Sequence, residues 1–170
     1  VKNDLTAAGK QINNIPFFIN GGCLIIGKNS KNEKLMLMAM PDYYLSDDGE
    51  FYEFSMMENN GEESKLVVYE DKTVLYEVMK KWANSLGYKA VIVERDLENN
   101  DFDDVYHVDV FLNIAGSKLI LNKESITQES FEKLKEEFGE ENMIFFDKKE
   151  REELVSNFIE VGDRRAFRRG

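Results

Sequence analysis

The amino-acid sequence predicts an α/β protein built from repeated ββαβ units. Short apolar runs bounded by turn residues indicate strands, and three segments carry apolar residues at helical spacing between capping residues. From residue 73 onward each helix follows a hairpin and returns through a short strand. With 170 residues, 42% of them hydrophobic, the chain suits one ordinary core. We predict a single α/β domain or fragment over residues 1–170, with an inserted hairpin around 41–70.

The first half of the chain holds two predicted hairpins, a helix and a return strand. The second hairpin turns at Asn60-Gly61, which is a strong signal for a tight turn. The helix runs from about Thr73 to Leu86, and Gly87 is expected to end it. The predicted strands are Cys23–Gly27, Lys34–Met40, Phe51–Met57, Lys65–Glu70 and, after the helix, Ala90–Val93.

The second half repeats the pattern. Ser125 or Thr127 is expected to cap a helix that buries Phe131, Leu134 and Phe138 and ends at Gly139. Asp147 and Glu150 form a pair like a capping box for a third helix, ahead of Leu154 and Val155. The predicted strands are Val105–Ile114, Lys118–Leu121, Met143–Phe146, Phe158–Val161 and Arg165–Arg168.

Composition excludes several classes of protein. A formal charge of −11 disfavours a nucleic-acid footprint, and no apolar run is long enough to span a membrane. A single cysteine, Cys23, rules out an internal disulfide and suits a reducing compartment, so we expect a cytoplasmic protein. With one histidine and one cysteine, a zinc site is not expected, and we predict neither a metal nor a cofactor.

His107-Val108-Asp109 is the segment where chemistry is expected. On a strand, residues i and i+2 point to the same face, so His107 and Asp109 would project together while Val108 enters the hydrophobic layer. A fixed pair of this kind offers a general acid/base beside an anionic anchor for a cationic group. The alternative is the polar face of a half-exposed strand, because His-x-Asp is a weak pattern.

A second candidate segment surrounds Gly21-Gly22, just before the first strand. Paired glycines permit positive φ and a close approach of the backbone to a ligand, although an ordinary turn explains them equally well. The neighbouring Cys23 could act as a nucleophile only if its pKa were lowered. No basic residue adjoins Cys23 in sequence, so a buried structural cysteine is the favoured interpretation.

Three segments together resemble the guanidine-modifying enzymes, namely arginine deiminases, peptidylarginine deiminases, dimethylarginine hydrolases and amidinotransferases. Residues 15–27 resemble their acid-Gly-Gly-Asp/Asn segment, and residues 106–111 (Tyr-His-Val-Asp-Val-Phe) resemble their His-x-Asp strand. Residues 157–164 are similar to a late segment of the hydrolase branch. The resemblance implies part of a pentein-like α/β propeller, incomplete because this length accommodates roughly three of the family's repeated units.

The resemblance also implies roles for individual residues. His107 would be the general acid/base, and Asp109 would hold the guanidinium group, with Asn20, Gly22 and Cys23 as further substrate-binding residues. The family's nucleophile is a cysteine near its C-terminus, and no cysteine follows His107 here. Asn20 stands where many members have Glu, and Cys23 where they usually have Asp or Asn.

Three functions are therefore compatible with the sequence. The first is an arginine-deiminase-like hydrolase acting on a small cationic guanidine compound or on peptidyl arginine. The second is a catalytically degenerate binding protein on the same scaffold. The third is an acidic partner-binding protein, which is disfavoured because the acids are dispersed among 22 basic residues. A homo-oligomer or a completing chain is compatible with all three.

Overall fold

The structure, a computed structural model, shows a mixed α/β fold. It describes residues 19, 21–39, 55–57, 63–65, 72–101, 105, 107–153, 155–156, 158–161 and 164–167. The strands are β1 (Leu24–Lys28), β2 (Lys34–Ala39), β3 (Ser55–Met57), β4 (Glu63–Lys65), β5 (Lys89–Val93), β6 (Leu112–Ala115), β7 (Lys118–Leu121), β8 (Met143–Phe145), β9 (Phe158–Val161) and β10 (Arg164–Phe167). The α-helices are α1 (Lys72–Ser85), α2 (Val108–Phe111), α3 (Gln128–Phe138) and α4 (Lys148–Glu152). None of the helices in these ranges is long and apolar enough to cross a membrane.

The first ββαβ unit consists of β1, β2, α1 and β5. Strands β1 and β2 pair antiparallel, with Leu24 opposite Met38, as the predicted hairpin requires. Strand β5 returns after α1 and pairs parallel to β2, with Leu37 opposite Val91. A parallel return needs a crossover connection, which α1 supplies.

The second unit repeats this topology with β6, β7, α3 and β8. Strands β6 and β7 are antiparallel, turning at Gly116, and β8 is parallel to β7. The sheet orders β1-β2-β5 and β6-β7-β8 are equivalent, so the predicted ββαβ repeat is observed twice.

Two hairpins lie outside these units. Strands β3 and β4 pair antiparallel with Met56 opposite Ser64, between β2 and α1 in the chain. Strand β3 coincides with the last three residues of the predicted strand Phe51–Met57, and β4 shares Lys65 with the predicted strand Lys65–Glu70. Residues 51–54 and 66–70 lie outside the described residues, as do the predicted turn at Asn60-Gly61 and residue 40 of the predicted strand Lys34–Met40. Strands β9 and β10 form the predicted last hairpin, with Ala166 opposite Ile159.

Strand β2 is buried on both faces, which explains its uninterrupted apolar sequence. Alternate residues of a strand face opposite sides, so Leu35, Leu37 and Ala39 enter one hydrophobic cluster. Met36 and Met38 enter a second cluster, where they pack with the apolar face of α1. The first cluster also receives residues of β6, β7 and α3, so the two ββαβ units share one core.

The predicted helix ends are largely confirmed. Gly87, at φ 79°, follows α1, and Gly139, at φ 73°, ends α3. Thr127, rather than Ser125, caps α3 by accepting a hydrogen bond from the Ser130 amide. Asp147 and Glu150 form the full capping box of α4. This helix ends at Glu152; Val155 follows it in the chain, and Leu154 lies outside the described residues.

One predicted strand is wrong over much of its length. Residues 105–114 were predicted to be a continuous strand, but Val108–Phe111 form the helical turn α2, and only the segment from Leu112 is extended. The same-face argument for His107 and Asp109 therefore does not apply. The apolar residues Val105, Val108 and Phe111 are all fully buried, and burying three positions at this spacing favours a turn over an alternating strand.

Candidate functional site

The candidate site is the α2 turn and the residue that precedes it. His107 is the N-cap of α2, with extended backbone at φ −104° and ψ 138°, and Asp109 lies in the first turn. Both side chains are partly exposed, whereas Val108 is fully buried, as predicted. The turn therefore fixes the backbone that carries the two polar side chains, and the atoms Nε2 of His107 and Oδ1 of Asp109 are themselves buried.

The structure brings Gly22 directly against His107. A Cβ atom added to Gly22 would lie 2.7 Å from Cγ and 2.9 Å from Nδ1 of the His107 imidazole. Real Cβ atoms essentially never come within 3.0 Å of such neighbours, so only glycine fits beside this ring in its present position. Gly22 and His107, two predicted site residues more than 80 positions apart in the chain, are therefore in contact. The close approach is to the histidine itself, whereas we had expected an approach to a ligand.

Cys23, a further predicted site residue, lies in the hydrophobic core and not at the surface of the site. Cys23 is buried, with 4% of its surface exposed, and belongs to the hydrophobic cluster shared by the two units. This position agrees with the interpretation of Cys23 as a structural cysteine. Asn20 lies outside the described residues.

A buried polar contact behind α2 is not predictable from the local sequence. The Ser156 hydroxyl donates to the Asp109 carbonyl at 2.9 Å, and the Asn113 side-chain amide donates to the Ser156 carbonyl at 2.6 Å. Ser156 and Asn113 are 0% and 7% exposed. The sequence does hold one indication of this contact, Asn113 within the apolar run Phe111-Leu112-Asn113-Ile114. A side-chain amide that is buried with such a run needs hydrogen-bond partners.

A charged cluster joins the two units away from this turn. Buried Glu137 of α3 forms an ion pair with Lys89 of β5 and accepts a hydrogen bond from the Asn29 side chain at 3.0 Å. Burial by itself would raise the pKa of Glu137, but the hydrogen bonds from Lys89 and Asn29 outweigh it and lower that pKa. The hydrogen bond to Glu137 raises the pKa of Lys89. The cluster is accordingly charged at neutral pH and holds the β1–β2 loop against α3.

Two cavities lined by described residues lie apart from the α2 turn. The larger measures about 490 Å³ and is lined by Arg95, Asp96, Leu97, Glu98, Thr127 and Gln128. The smaller measures about 190 Å³ and borders the Glu137–Lys89 pair. Within the described ranges, no group of three or more His, Cys, Asp or Glu side chains could hold a metal ion.

Solved structures with a similar fold come from an arginine-modifying enzyme. The N-terminal domain of ArgZ, an arginine dihydrolase of the ornithine-ammonia cycle in cyanobacteria, matches as a cysteine-to-serine variant bound to substrate, with a TM-score of 0.58 and 13% identity. That match covers 95% of this chain and 47% of the ArgZ domain. Apo ArgZ matches with a TM-score of 0.59 at 13% identity, over 95% of this chain and 20% of that one.

A third ArgZ structure, an asparagine-to-serine variant of the N-terminal domain covalently bound to a reaction intermediate, matches with a TM-score of 0.56 and 12% identity. It covers 93% of this chain and 46% of the ArgZ chain. The chain thus spans about half the length of the N-terminal domain it matches. The sequence matches no protein-family profile and no curated protein. At this level of identity the likeness concerns the fold alone: a mixed α/β fold distantly related to that of arginine-modifying enzymes.

Proposed function

We propose that the chain is part of an arginine-modifying hydrolase-like protein and that its α2 turn binds a guanidine compound. The observation that carries the proposal is the contact between Gly22 and His107, within a fold that matches ArgZ over 95% of the chain. Two of the three segments whose sequences resemble guanidine-modifying enzymes meet at this contact. The likeness to ArgZ, structures of which are bound to substrate and to product, supports arginine or a related compound as the ligand.

In the proposed site the carboxylate of Asp109 pairs with the guanidinium group. Two parallel hydrogen bonds between these planar groups fix orientation as well as charge. The imidazole of His107 serves as general acid/base, a role that suits a ring whose nitrogens can both accept and donate a proton. Gly22 leaves room for this ring, and Asn20, two residues before Gly22 in sequence, is proposed as a further ligand contact from the same segment.

Hydrolysis at a guanidinium carbon would break a C–N bond, form a C–O bond with water and release ammonia. In the family that the sequence resembles, a cysteine thiolate attacks first. Cys23 is the single cysteine of this sequence, and it is buried in the hydrophobic core. The burial of Cys23 is the observation for which we keep a second candidate function beside the first, a protein that binds guanidine compounds without turning them over.

Binding and turnover are tested separately. Calorimetric titration with arginine and with agmatine should show binding that Asp109→Asn weakens by about tenfold or more, since a hydrogen bond to a charged group contributes ~1.5–3 kcal/mol. Asp101→Asn is the matched control, because Asp101 is exposed and its loss changes the net charge equally. No binding of either compound by the wild-type chain would refute the proposed function.

Turnover is measured as citrulline and ammonia released from free and peptidyl arginine. Release that His107→Ala abolishes would assign the hydrolase function, and binding without release would assign the binding function. Guanidine binding that is insensitive to both Asp109→Asn and His107→Ala would place the ligand elsewhere and contradict the proposed site.

We further propose that the two ββαβ units belong to a pentein-like propeller in a cytoplasmic protein. Their equivalent topology and shared core support this arrangement, and a single cysteine suits a reducing compartment. A second copy or a completing chain would supply further units. Sedimentation equilibrium of the purified chain tests the second copy, since a monomer at all concentrations excludes it.

A further inference from the structure

The α2 turn needs a hydrogen-bond donor from elsewhere in the chain for one of its backbone carbonyl groups. A helix of four residues cannot satisfy its last carbonyls internally. The His107 carbonyl accepts from the Val110 amide, and the Val108 carbonyl accepts from the Leu112 amide. The Asp109 carbonyl would need the amide of Asn113 in the same pattern, but Asn113 is already in strand β6. The Ser156 hydroxyl, at 2.9 Å, takes that place.

Ser156 also accepts a hydrogen bond from strand β6, which follows the α2 turn directly in the chain. Leu112 and Ile114 of β6 face the shared hydrophobic cluster, so Asn113 between them faces the other side. Its side-chain amide donates to the Ser156 carbonyl at 2.6 Å, which satisfies a buried polar group. Ser156 therefore donates to the turn and accepts from the strand that follows it. We call this pair of hydrogen bonds the Ser156 clasp.

We infer that the Ser156 clasp positions the candidate site: it sets the orientation of the α2 turn, and with it the placement of Asp109 and His107. Residue 156 follows α4 in the chain, so the site on α2 depends on a segment 47 residues beyond it. Ser156 is a positioning residue, since its hydroxyl contacts the backbone of Asp109 and acts through it. The inference deepens the proposed function, and the orientation it concerns is measurable without any ligand.

The orientation of the site can be followed by the NMR signal of His107, because His107 is the sole histidine of the sequence. A proton–carbon correlation spectrum of the imidazole Cε1–H group therefore contains one histidine cross-peak, whose chemical shift reports the surroundings of the ring. Ser156→Ala should move this cross-peak in the ligand-free protein at fixed pH. Ser156→Thr, which keeps the hydroxyl, should bring it back towards the wild-type position.

Ser85→Ala is the matched control. The Ser85 hydroxyl also donates to a backbone carbonyl, that of Trp82 at 2.7 Å, but on the exposed end of α1. This variant should leave the His107 cross-peak in place. If Ser156→Ala folds and its cross-peak coincides with those of wild type and Ser85→Ala, the inference is overturned and the clasp is only structural.

Two further measurements complete the test, one with a second variant of Ser156 and one with agmatine. If Ser156→Ala fails to fold, Ser156→Cys is measured instead, because it keeps the shape and weakens the donor; an unmoved cross-peak overturns the inference equally. With agmatine present, Ser156→Ala should raise Kd about tenfold, as expected for the loss of one hydrogen bond from the positioning network. Wild-type protein that binds no guanidine compound would refute the proposed function, while the ligand-free spectra would still decide the clasp.

Discussion

Replacing Gly22 by alanine tests the contact on which the candidate site depends. The added methyl group would lie 2.7 Å from Cγ of His107, and ordinary van der Waals contact begins at 3.4 Å. The ring or the backbone must therefore move by 0.3 Å to reach the 3.0 Å below which real Cβ contacts essentially never fall, and by 0.7 Å to reach ordinary contact. Gly22 is not among the residues with positive φ, so this clash, and not backbone strain, is the reason for the expected effect.

The expected loss of stability is the difference between two opposing effects. Overpacking a well-packed site costs about 1–3 kcal/mol. Alanine also restricts the unfolded chain, which stabilises the folded state by roughly 0.4–1 kcal/mol. The free energy of unfolding should fall by about 1–2 kcal/mol, which lowers the urea midpoint by about 0.5–1 M. The cross-peak of His107 should move in the same variant, because its ring is the group that is displaced.

The assay combines urea unfolding, followed by circular dichroism, with the imidazole spectrum. Gly116→Ala is the control: φ is +62° there and no atom lies within 4 Å of the added Cβ, so it loses stability through backbone strain alone. Its histidine cross-peak should stay where it is in wild type. If Gly22→Ala unfolds at the wild-type midpoint and leaves the cross-peak unmoved, the close approach of the two segments is disproved.

Other predictions concern the structure that supports the site. Glu137→Gln should lower stability by about 1–2 kcal/mol at pH 7, less than for a fully buried pair because Lys89 is half exposed and can be hydrated again. The pKa of Glu137 is lowered in the folded state, so its contribution is present above the usual carboxyl pKa and is lost as pH falls through the lowered value. Urea unfolding at pH 7 and pH 3 should therefore show the difference between wild type and Glu137→Gln shrinking in acid; a constant difference would contradict the assignment. Thr127→Ala removes the N-cap of α3 and should cost about 1 kcal/mol by the same measurement, whereas no loss would show that the cap is dispensable. Arg151→Met should cost ~2–3 kcal/mol, since Arg151 is 2% exposed and its guanidinium donates to the Asn100 side chain and to the Ser125 hydroxyl. A thermal midpoint equal to that of wild type would show that those hydrogen bonds contribute nothing net.

The spacing of apolar residues, together with capping and turn residues, was sufficient to predict most of the helices and strands. The apolar spacing that gave Thr73–Leu86 corresponds to α1 within one residue at each end, because that helix buries one face against a sheet. Local signals also gave Gly139 as the end of α3 and Asp147 as the cap of α4, since these depend on neighbours three or four residues away. The repeated order of hairpin, helix and strand followed from the same signals.

The main error was the prediction of a strand where the structure has the α2 turn. The segment around His107 is short and rich in β-branched residues, so local propensity favours a strand. The structure instead buries Val105, Val108 and Phe111 together, which a helical turn achieves and an alternating strand does not. Tertiary packing overrides propensity in segments of this length.

The sequence by itself determined the ββαβ repeat, the helix ends and the identity of His107, Asp109 and Gly22 as candidates, because these rest on patterns within a few residues. Only the tertiary structure decided that Gly22 lies against His107 and that Ser156 holds the backbone of Asp109. Both contacts join segments far apart in the chain. Their geometry is set by how the units pack around a shared core, and no local pattern of residues encodes that packing.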